Sequence, residues 1–150
     1  MAMTMTGEVS LPADRPKVWE MLNDPAVLKA CIPGCQSLER TSDISFAAVA
    51  KIKIGPLSAS FKGKVQLSDV DPPNGYTISG EGEGGIAGFA NGGAKVHLVA
   101  TPEGTTLNYD VTANVGGKIA QMGSRLIDGV ARKMADQFFA NFATAVGGAT

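Results

Sequence analysis

The sequence predicts a domain of the α+β class, in which a curved antiparallel sheet wraps around one long C-terminal helix. Three observations predict this architecture. Two short helix patterns precede residue 35, apolar residues then recur with a period of two as far as residue 115, and after Gly116-Gly117 the period returns to 3.6. A long helix with one apolar face must cover the inner face of such a sheet, so we expect residues 1–150 to form one domain.

The N-terminal segment predicts a strand followed by two short helices. Residues 4–11 alternate weakly between apolar and polar side chains, as a strand does. Asp14 is a good N-cap, and Pro16 falls in the first helical turn, where its missing N–H is not needed. This helix should end before Asp24-Pro25, where a second short helix starts that Pro33-Gly34 stops.

Five alternating segments follow and predict consecutive strands. Gly55-Pro56, Pro72-Pro73-Asn74-Gly75 and Pro102-Glu103-Gly104 separate them with hairpin-type turns. Strands joined by such short turns pair antiparallel with their neighbours in sequence. With a further strand from about residue 35 they give a meander of about six strands. The alternating segments are 44–54, 57–70, 75–84, 90–101 and 104–115.

The C-terminal segment predicts one amphipathic helix. It begins after Gly116-Gly117 and ends at Gly147-Gly148, so it should contain roughly 28 residues and extend about 42 Å. The apolar stripe is expected to face the sheet and the opposite stripe to face solvent. The apolar stripe contains Ile119, Met122, Leu126, Val130 and Met134, and the polar stripe contains Gln121, Arg125, Asp128, Arg132 and Asp136.

The strand residues of the apolar parity are small. Successive strands place alanines and glycines in one zone of the inner face. Because protein interiors pack densely, either the helix approaches the sheet closely there, or a space remains. The same glycines also suit a sheet that bends strongly. An apolar space would take an apolar guest, and its predicted lining is Phe46, Ala48, Ala50, Phe61, Ile78, Gly80, Gly82, Ala94, Val96, Tyr109, Val111, Met122, Leu126 and Val130.

Composition and charge disfavour several classes of function. The formal net charge is −1 with both signs interspersed, which does not suit nucleic-acid binding. The N-terminus lacks the features of a secretion signal, and no stretch approaches the roughly 20 apolar residues of a spanning helix. We therefore expect a cytoplasmic protein with reduced thiols at Cys31 and Cys35. Two cysteines and one distant histidine do not make a zinc site, so no metal is expected.

The candidate catalytic motifs favour ordinary structural explanations. The run Gly80–Gly85 matches G-x-G-x-x-G, but the dinucleotide motif needs a strand before it and a helix after it. Here the run itself alternates as a strand. Its glutamates, Glu81 and Glu83, fall on the polar face, as does His97, the single histidine. No nucleophile motif accompanies the histidine, and we expect no catalytic residue.

Two groups of exposed-looking apolar residues suggest a contact surface. Ile86 and Phe89 stand between glycines in a hairpin turn, where they could form a lid, touch a membrane or partner, or pack on a neighbouring loop. Phe138, Phe139 and Phe142 crowd the end of the last helix, where no charge appears after Asp136. We expect a lid, membrane or partner contact at these five residues.

Four segments resemble a known family. They are Val18-Trp19-Glu20-Met21-Leu22-Asn23-Asp24-Pro25, Ile32-Pro33-Gly34-Cys35, the glycine-rich run Gly80–Gly93, and the run 114–127, which contains Gly-Gly-Lys-Ile-Ala-Gln-Met-Gly-Ser-Arg. The order of elements resembles the helix-grip superfamily, also called START/Bet v 1-like or SRPBCC. Within it the chain resembles the CoxG family, the G subunit of carbon monoxide dehydrogenase.

The resemblance implies an accessory role beside an aerobic molybdenum CO dehydrogenase or a related hydroxylase. Proteins of this family are linked to membrane recruitment of that enzyme and to binding of a quinone. It implies no catalytic residues. This sequence lacks the hydrophobic C-terminal anchor of some relatives, so membrane contact is expected to be peripheral, at the inner face of the cytoplasmic membrane. A polyketide cyclase or hydrolase-like enzyme and a ligand-free interaction module remain alternatives on the same fold.

Overall fold

The computed structural model describes residues 2–147, in which seven strands form one antiparallel sheet. The strands run along the sheet in the order β1-β7-β6-β5-β4-β3-β2, so all neighbours except β1 and β7 are also consecutive in sequence. The strand bounds are β1 Ala2–Leu11, β2 Cys35–Ser42, β3 Ser45–Ile54, β4 Leu57–Asp71, β5 Gly75–Glu83, β6 Phe89–Thr101 and β7 Gly104–Gly116.

Two short helices follow β1, and each begins at an aspartate. The helices are α1 (Arg15–Leu22) and α2 (Pro25–Cys31). A side-chain oxygen of Asp14 accepts a hydrogen bond from the Lys17 N–H at 3.3 Å, and Asp24 accepts one from Ala26 at 2.9 Å. A proline stands in the first turn of each helix. These caps satisfy N–H groups that a helix leaves free at its start. The predicted fold class and the order of elements are confirmed.

The last helix begins later than the sequence predicts. Residues Lys118–Met122 form a 3-10 turn, and Gly123 then adopts a φ of +93°, which interrupts the helical path. The helix α3 therefore covers Ser124–Val146, 23 residues rather than roughly 28. The buried face of α3 includes a residue outside the predicted apolar stripe. Ile127 is buried, whereas Leu126 of the predicted apolar stripe is 37 % exposed.

Large side chains pack in two separate clusters, one toward each end of α3. The first core cluster joins α1, α2 and the C-terminal half of α3 to the sheet, and it contains the fully buried Val18 and Phe142. Asn141 links α3 to α2, because its side-chain amide donates a hydrogen bond to the Cys31 carbonyl at 3.0 Å. The second core cluster lies at the start of α3 and comprises Ile54, Ala87, Val115, Ile119 and Ile127.

Candidate functional site

The inner face of the sheet carries rows of small residues between the two clusters. Residues paired across antiparallel strands point to the same side, so pairing identifies each row. One row runs Ala48–Gly63–Gly82–Ala90 across β3 to β6. The next runs Val65–Gly80–Gly92–Ala113 across β4 to β7. The predicted zone of small residues is therefore continuous over five strands.

Several of these glycines face open space rather than the helix. Within the described chain, apart from adjacent residues, the only heavy atom within 4 Å of a Cβ built on Gly82 is the Lys62 carbonyl oxygen, at 3.8 Å. A Cβ on Gly63 meets only the Glu81 carbonyl oxygen, at 3.5 Å. Both contacts are with the neighbouring strand and none is with α3. At these positions the small residues leave room above the sheet.

Gly92 has a different role from Gly82. A Cβ at Gly92 would lie 2.1 Å from the Thr112 carbonyl oxygen and 2.7 Å from the Ala113 Cα. No side chain fits so close to backbone, so glycine here permits the close approach of β6 and β7. Open space and sheet bending, the two explanations that the sequence left open, therefore apply to different glycines.

The inward residues between the clusters are incompletely covered. Six apolar side chains of this zone belong to neither core cluster and to neither cluster's packed surroundings. All six are partly exposed although they lie on the sheet face that α3 covers or on α3 itself. They are Ala48, Ala50, Val65, Ala94, Ala113 and Met134. We call the region bounded by these residues the interior space.

The other predicted lining residues fall into three groups, according to which core cluster they contact. Phe46 and Tyr109 are buried in the first core cluster, and Ile78, Val96 and Val111 pack against it. Phe61, Met122 and Val130 pack against the second core cluster. Leu126 stands apart at the surface, since its neighbour Ile127 takes the inward position. The inward position predicted for Leu126 is therefore wrong, because the adjacent Ile127 packs in the second core cluster instead.

Three hydroxyl groups face inward from the sheet. The Thr105 hydroxyl donates to the Ala13 carbonyl at 2.7 Å, and the Tyr109 hydroxyl accepts from the Arg132 guanidinium at 3.2 Å. Arg132 also donates to the Thr6 carbonyl at 3.1 Å, so it joins α3 to β1 instead of standing free in the solvent-facing stripe. The Tyr76 hydroxyl makes no hydrogen bond within residues 2–147.

Tyr76 is unusual because it combines burial with an unpaired hydroxyl. Its side chain is 8 % exposed and meets the Trp19 ring edge-on at 5.3 Å, and desolvation by burial raises the pKa of its hydroxyl well above the ordinary value. Among the described residues, every side-chain oxygen and nitrogen that is sealed from solvent has a partner. The Tyr76 oxygen is therefore not fully sealed from solvent.

The proposed lid and contact residues separate into two groups. Ile86 is 84 % exposed at the tip of the 3-10 turn Gly85–Ala87, which the buried Ala87 anchors to the second core cluster. Phe89 is half exposed, and its ring covers Gly116 on the outer face of the sheet. Ile86 and Phe89 are therefore both exposed enough to contact another molecule.

The phenylalanines of α3 serve the core. Phe142 is completely buried, so the expectation that it forms a surface contact is wrong. The Phe138 ring stacks on Phe142 at 5.7 Å, and the Phe139 ring stacks on Tyr109 at 5.1 Å. Both partly exposed rings pack against the first core cluster. The uncharged end of α3 is explained by packing against α1, α2 and the sheet.

The polar residues of the glycine-rich strands lie on the outer face. Glu81, Glu83, Lys95 and His97 are all exposed there, as their strand parity predicts. Glu81 pairs with Lys64 and Glu83 with Lys62 across β4 and β5. Their side chains, together with the row Ala48–Gly63–Gly82–Ala90, line a depression of about 1,090 Å³, which the sequence did not predict. Positive and negative side chains alternate on this surface, so it is polar without a large excess of either charge.

A second surface that the sequence did not predict is a groove between α3 and β3. The strand β2 stops pairing with β3 at Ala50, which leaves the last residues of β3 facing α3 across an opening. Two adjoining depressions of about 450 and 540 Å³ share Val130 and Lys133 and form this α3–β3 groove. Its lining includes the basic residues Lys51, Lys53, Arg125 and Lys133, and the apolar residues Ile52, Met122, Leu126, Val130 and Met134.

The groove leads inward. Ile52 shares the inward parity of Ala48 and Ala50 on β3, and Met134 borders the interior space. Ile52 and Met134 therefore lie where the groove meets the covered face of the sheet. Lys51 and Lys53 alternate with Ile52 on β3, so they border the groove from the strand's outer face. The missing β2 partner was not predicted.

Comparison with known proteins agrees with this architecture. The profile of the CoxG family, described as the G subunit of carbon monoxide dehydrogenase, matches residues 7–147. A conserved protein from Geobacillus kaustophilus has a similar crystal structure, with a TM-score of 0.90 and 32% sequence identity over 96% of this chain and 95% of that one. No curated protein has a significantly similar sequence.

More distant structures share the fold at low sequence identity. Ara h 8.0201 is 16% identical, with a TM-score of 0.66 over 97% of this chain and 98% of that one. The Zhui aromatase/cyclase from Streptomyces sp. R1128 is 10% identical, with a TM-score of 0.67 over 97% and 94% of the two chains. Within residues 2–147, no helix combines the length and the apolar character that a bilayer span requires.

Proposed function

Because the chain belongs to the CoxG family of carbon monoxide dehydrogenase, we propose that it binds a hydrophobic small molecule, a quinone or a lipid, between the sheet and α3. In this proposal it serves an aerobic molybdenum CO dehydrogenase or a related hydroxylase as an accessory protein. It helps to bring that enzyme to the membrane or to pass its electrons on. The observation that carries the binding proposal is the row Ala48–Gly63–Gly82–Ala90, whose glycines have no contact with α3.

The surface chemistry of the interior favours an apolar guest. The partly exposed residues between the clusters are aliphatic, and each Å² of such surface that a guest covers contributes about 25 cal/mol. A guest that covered about 200 Å² would gain roughly 5 kcal/mol from this source before the loss of its own freedom. A polar metabolite would lose its hydration there and find few partners.

Tyr76 supports a guest that carries a hydrogen-bond acceptor. The hydroxyls of Thr105 and Tyr109 are occupied by protein partners, whereas that of Tyr76 is unpaired among the described residues. An O–H donor in an apolar site is suited to a carbonyl oxygen, and a quinone is an apolar ring with two carbonyls. In this proposal Tyr76 orients the guest, the aliphatic residues exclude water from it, and the redox chemistry belongs to the quinone.

The interior favours binding over catalysis. General acid–base chemistry needs titratable groups within reach of a substrate. Among the described residues, Glu81, Glu83 and His97 are exposed on the opposite face of the sheet. The aromatase/cyclase neighbours are too distant in sequence to transfer more than their fold.

The decisive experiment fills the interior space from one strand. In Ala94→Phe a ring enters the space between the core clusters, and in the matched control Lys95→Phe the same ring lies on the outer face one residue away. Quinone binding is measured by fluorescence titration of Trp19 and Tyr76 with ubiquinone and menaquinone analogues in detergent, and bound lipid by native mass spectrometry.

We expect Ala94→Phe to lose at least about tenfold in affinity, since a well-placed steric block removes more than about 1.4 kcal/mol. Lys95→Phe should bind as the unmodified chain does. Circular dichroism and the urea midpoint establish that both variants fold. Equal binding by the two folded variants would reject the interior space as the site.

A further inference from the structure

The outer face of the sheet carries two rows of side chains with the same order of charges. The first row is Val49–Lys62–Glu83–Phe89 and the second is Ala47–Lys64–Glu81–Asn91, each taken from β3 to β6. Residues paired directly across antiparallel strands point to the same side, so each row presents its four side chains together. In both rows a lysine of β4 and a glutamate of β5 lie between uncharged residues of β3 and β6.

The lysines and glutamates of the two rows are not engaged with the rest of the chain. All four are exposed, and within residues 2–147 none of them forms an ion pair or a side-chain hydrogen bond. Each has a neighbour of opposite sign on the adjacent strand, but an exposed pair of this kind gains little free energy in water. Their charges are therefore available to another molecule that presents the same charges in the reverse order.

Phe89 gives the first row an exposed ring at one end. Its side chain is half exposed, and its ring lies over Gly116 of β7. At the other end of the row, Val49 lies beside Ser37 of β2, and both side chains are smaller than phenylalanine. Ser37, Val49 and Phe89 all line the depression of about 1,090 Å³. An exposed ring therefore stands at one side of this depression, and room for a ring lies at the other side.

We propose that this outer face pairs with the same face of a second copy of the chain, around a two-fold axis that runs parallel to the strands between β4 and β5. Such an axis reverses the order of each row, so the rows of the two copies match each other. Lys62 then faces Glu83 of the second copy, and Lys64 faces Glu81 of the second copy. The exposed ring of each copy enters the room at the far end of the other copy's first row.

The charges favour this axis over the other two-fold axis that lies parallel to the sheet. An axis across the strands, between the two rows, would place Lys62 over Lys64 of the second copy and Glu83 over Glu81 of the second copy. Contact between like charges disfavours that arrangement. Around the proposed axis, α3 and the interior space of each copy face away from the contact. The pairing therefore does not depend on the proposed function.

The contact is small, so the pair should dissociate readily. Three strand spacings of about 4.8 Å separate β3 from β6, which makes the rows about 15 Å wide. A standard interface of about 800 Å² per partner is roughly twice as wide. We expect a dissociation constant of about 10–100 µM, as for other small and transient interfaces.

Sedimentation equilibrium of the full chain measures this pairing. At pH 7 in about 0.05 M NaCl we expect exchange between monomer and dimer over protein concentrations of about 5–500 µM, which bracket the expected dissociation constant. That constant should rise by at least about threefold in about 0.5 M NaCl, where charges are screened beyond about 4 Å. A monomer at every concentration, or a dimer that salt does not weaken, would overturn the proposal.

Charge reversal tests the two-fold order of the rows. Lys62→Glu/Lys64→Glu sets like charges against each other across the axis, so dimerisation should weaken by at least about tenfold. Adding Glu81→Lys/Glu83→Lys to the same chain restores opposite charges across the axis and returns the formal net charge to −1. This fourfold variant should dimerise within about threefold of the unmodified chain. A folded fourfold variant that stays monomeric, or a folded double variant that dimerises normally, would reject the pairing.

Truncation of Phe89 tests the apolar part of the contact without a change of charge. Phe89→Ala should weaken dimerisation by at least about tenfold, since aromatic side chains buried at an interface contribute strongly to affinity. Val99→Ala is the matched control, because Val99 is an exposed apolar residue on the outer face of the same strand, about 33 Å away along β6. The control should dimerise as the unmodified chain does. Circular dichroism and the urea midpoint establish that each variant folds. Equal dimerisation by the two folded variants would place Phe89 outside the contact and reject the proposed axis.

Discussion

The two ends of α3 and its middle are packed differently against one continuous sheet. At the C-terminal end Phe142 is completely buried among side chains of α1, α2 and the sheet. In the middle, Met134 belongs to neither cluster, lines the groove beside Ile52 and stays partly exposed. Both regions have the same topology and the same alternation of strand residues, so only the size of the inward side chains differs.

This difference shows how the fold makes a space without losing its core. The large residues are concentrated in the two end clusters, where they hold α3 on the sheet. The middle of the helix is then held in place without needing to fill its own side of the interior. Under the proposed function, stability and binding therefore depend on different residues.

The largest predicted effect tests that division directly. Phe142→Ala should destabilise the protein by about 3–5 kcal/mol, because it leaves a cavity in a packed cluster. Met134→Ala should destabilise it by less than about 2 kcal/mol, since its side chain is already partly exposed and lies outside both clusters. Urea denaturation at pH 7 gives both free energies of unfolding. Losses of equal size would mean that the middle of α3 is packed as tightly as its end.

The strands were predictable because their signal is local. A period of two fixes which residues face inward, and the turn residues between the strands fix the hairpin connections. The predicted inward sets of β3 to β7 match the observed pairing, including the Gly63–Gly82 pair. Whether a glycine leaves room or prevents a clash was not predictable, because that depends on the neighbouring strand in three dimensions.

The second prediction compares two glycines of the inner face. Gly92→Ala should destabilise the protein by about 1–3 kcal/mol, because its Cβ would overlap the β7 backbone. Gly82→Ala should change stability by less than about 1 kcal/mol, since the new methyl enters open space and alanine suits a strand slightly better than glycine. Thermal unfolding of the two variants measures the difference. A larger loss in Gly82→Ala would mean that α3 lies closer to the sheet than 4 Å there.

The start of α3 was the main error of the sequence interpretation, and its cause is one residue. The apolar residues from Ile119 to Met134 form a regular stripe when the helix is assumed continuous. Gly123 interrupts that continuity, so the turn before it and the helix after it have different phases. Within α3, Ile127 rather than Leu126 packs in the second core cluster, so Leu126 is exposed and lines a groove that the sequence did not predict. A single glycine in a helical pattern does not reveal by itself whether it breaks the helix.

The smallest effect on stability is expected at Tyr76, which is buried in the first core cluster but whose hydroxyl oxygen is not fully sealed from solvent. Tyr76→Phe removes a hydroxyl without a partner among the described residues, so the free energy of unfolding at pH 7 should change by less than about 0.5 kcal/mol. The affinity for quinone should fall by about three- to tenfold, because the hydrogen bond to its carbonyl is lost. Tyr109→Phe is the matched control, since its hydroxyl accepts from Arg132 and is occupied. A greater loss of binding in this control would reject Tyr76 as the donor.

Alkaline pH gives Tyr76 a second test that needs no ligand. Burial raises the pKa of its hydroxyl in the folded state, whereas in the unfolded chain the hydroxyl titrates near pH 10. Below about pH 10 both states keep the proton and stability is unaffected. Above it only the unfolded chain releases the proton, so stability falls by about 1.4 kcal/mol per pH unit from this residue. Tyr76→Phe should therefore lose stability less steeply than the unmodified chain between about pH 10 and 11. Parallel curves would mean that the Tyr76 hydroxyl ionises as readily in the folded protein as in water and does not border a water-poor interior.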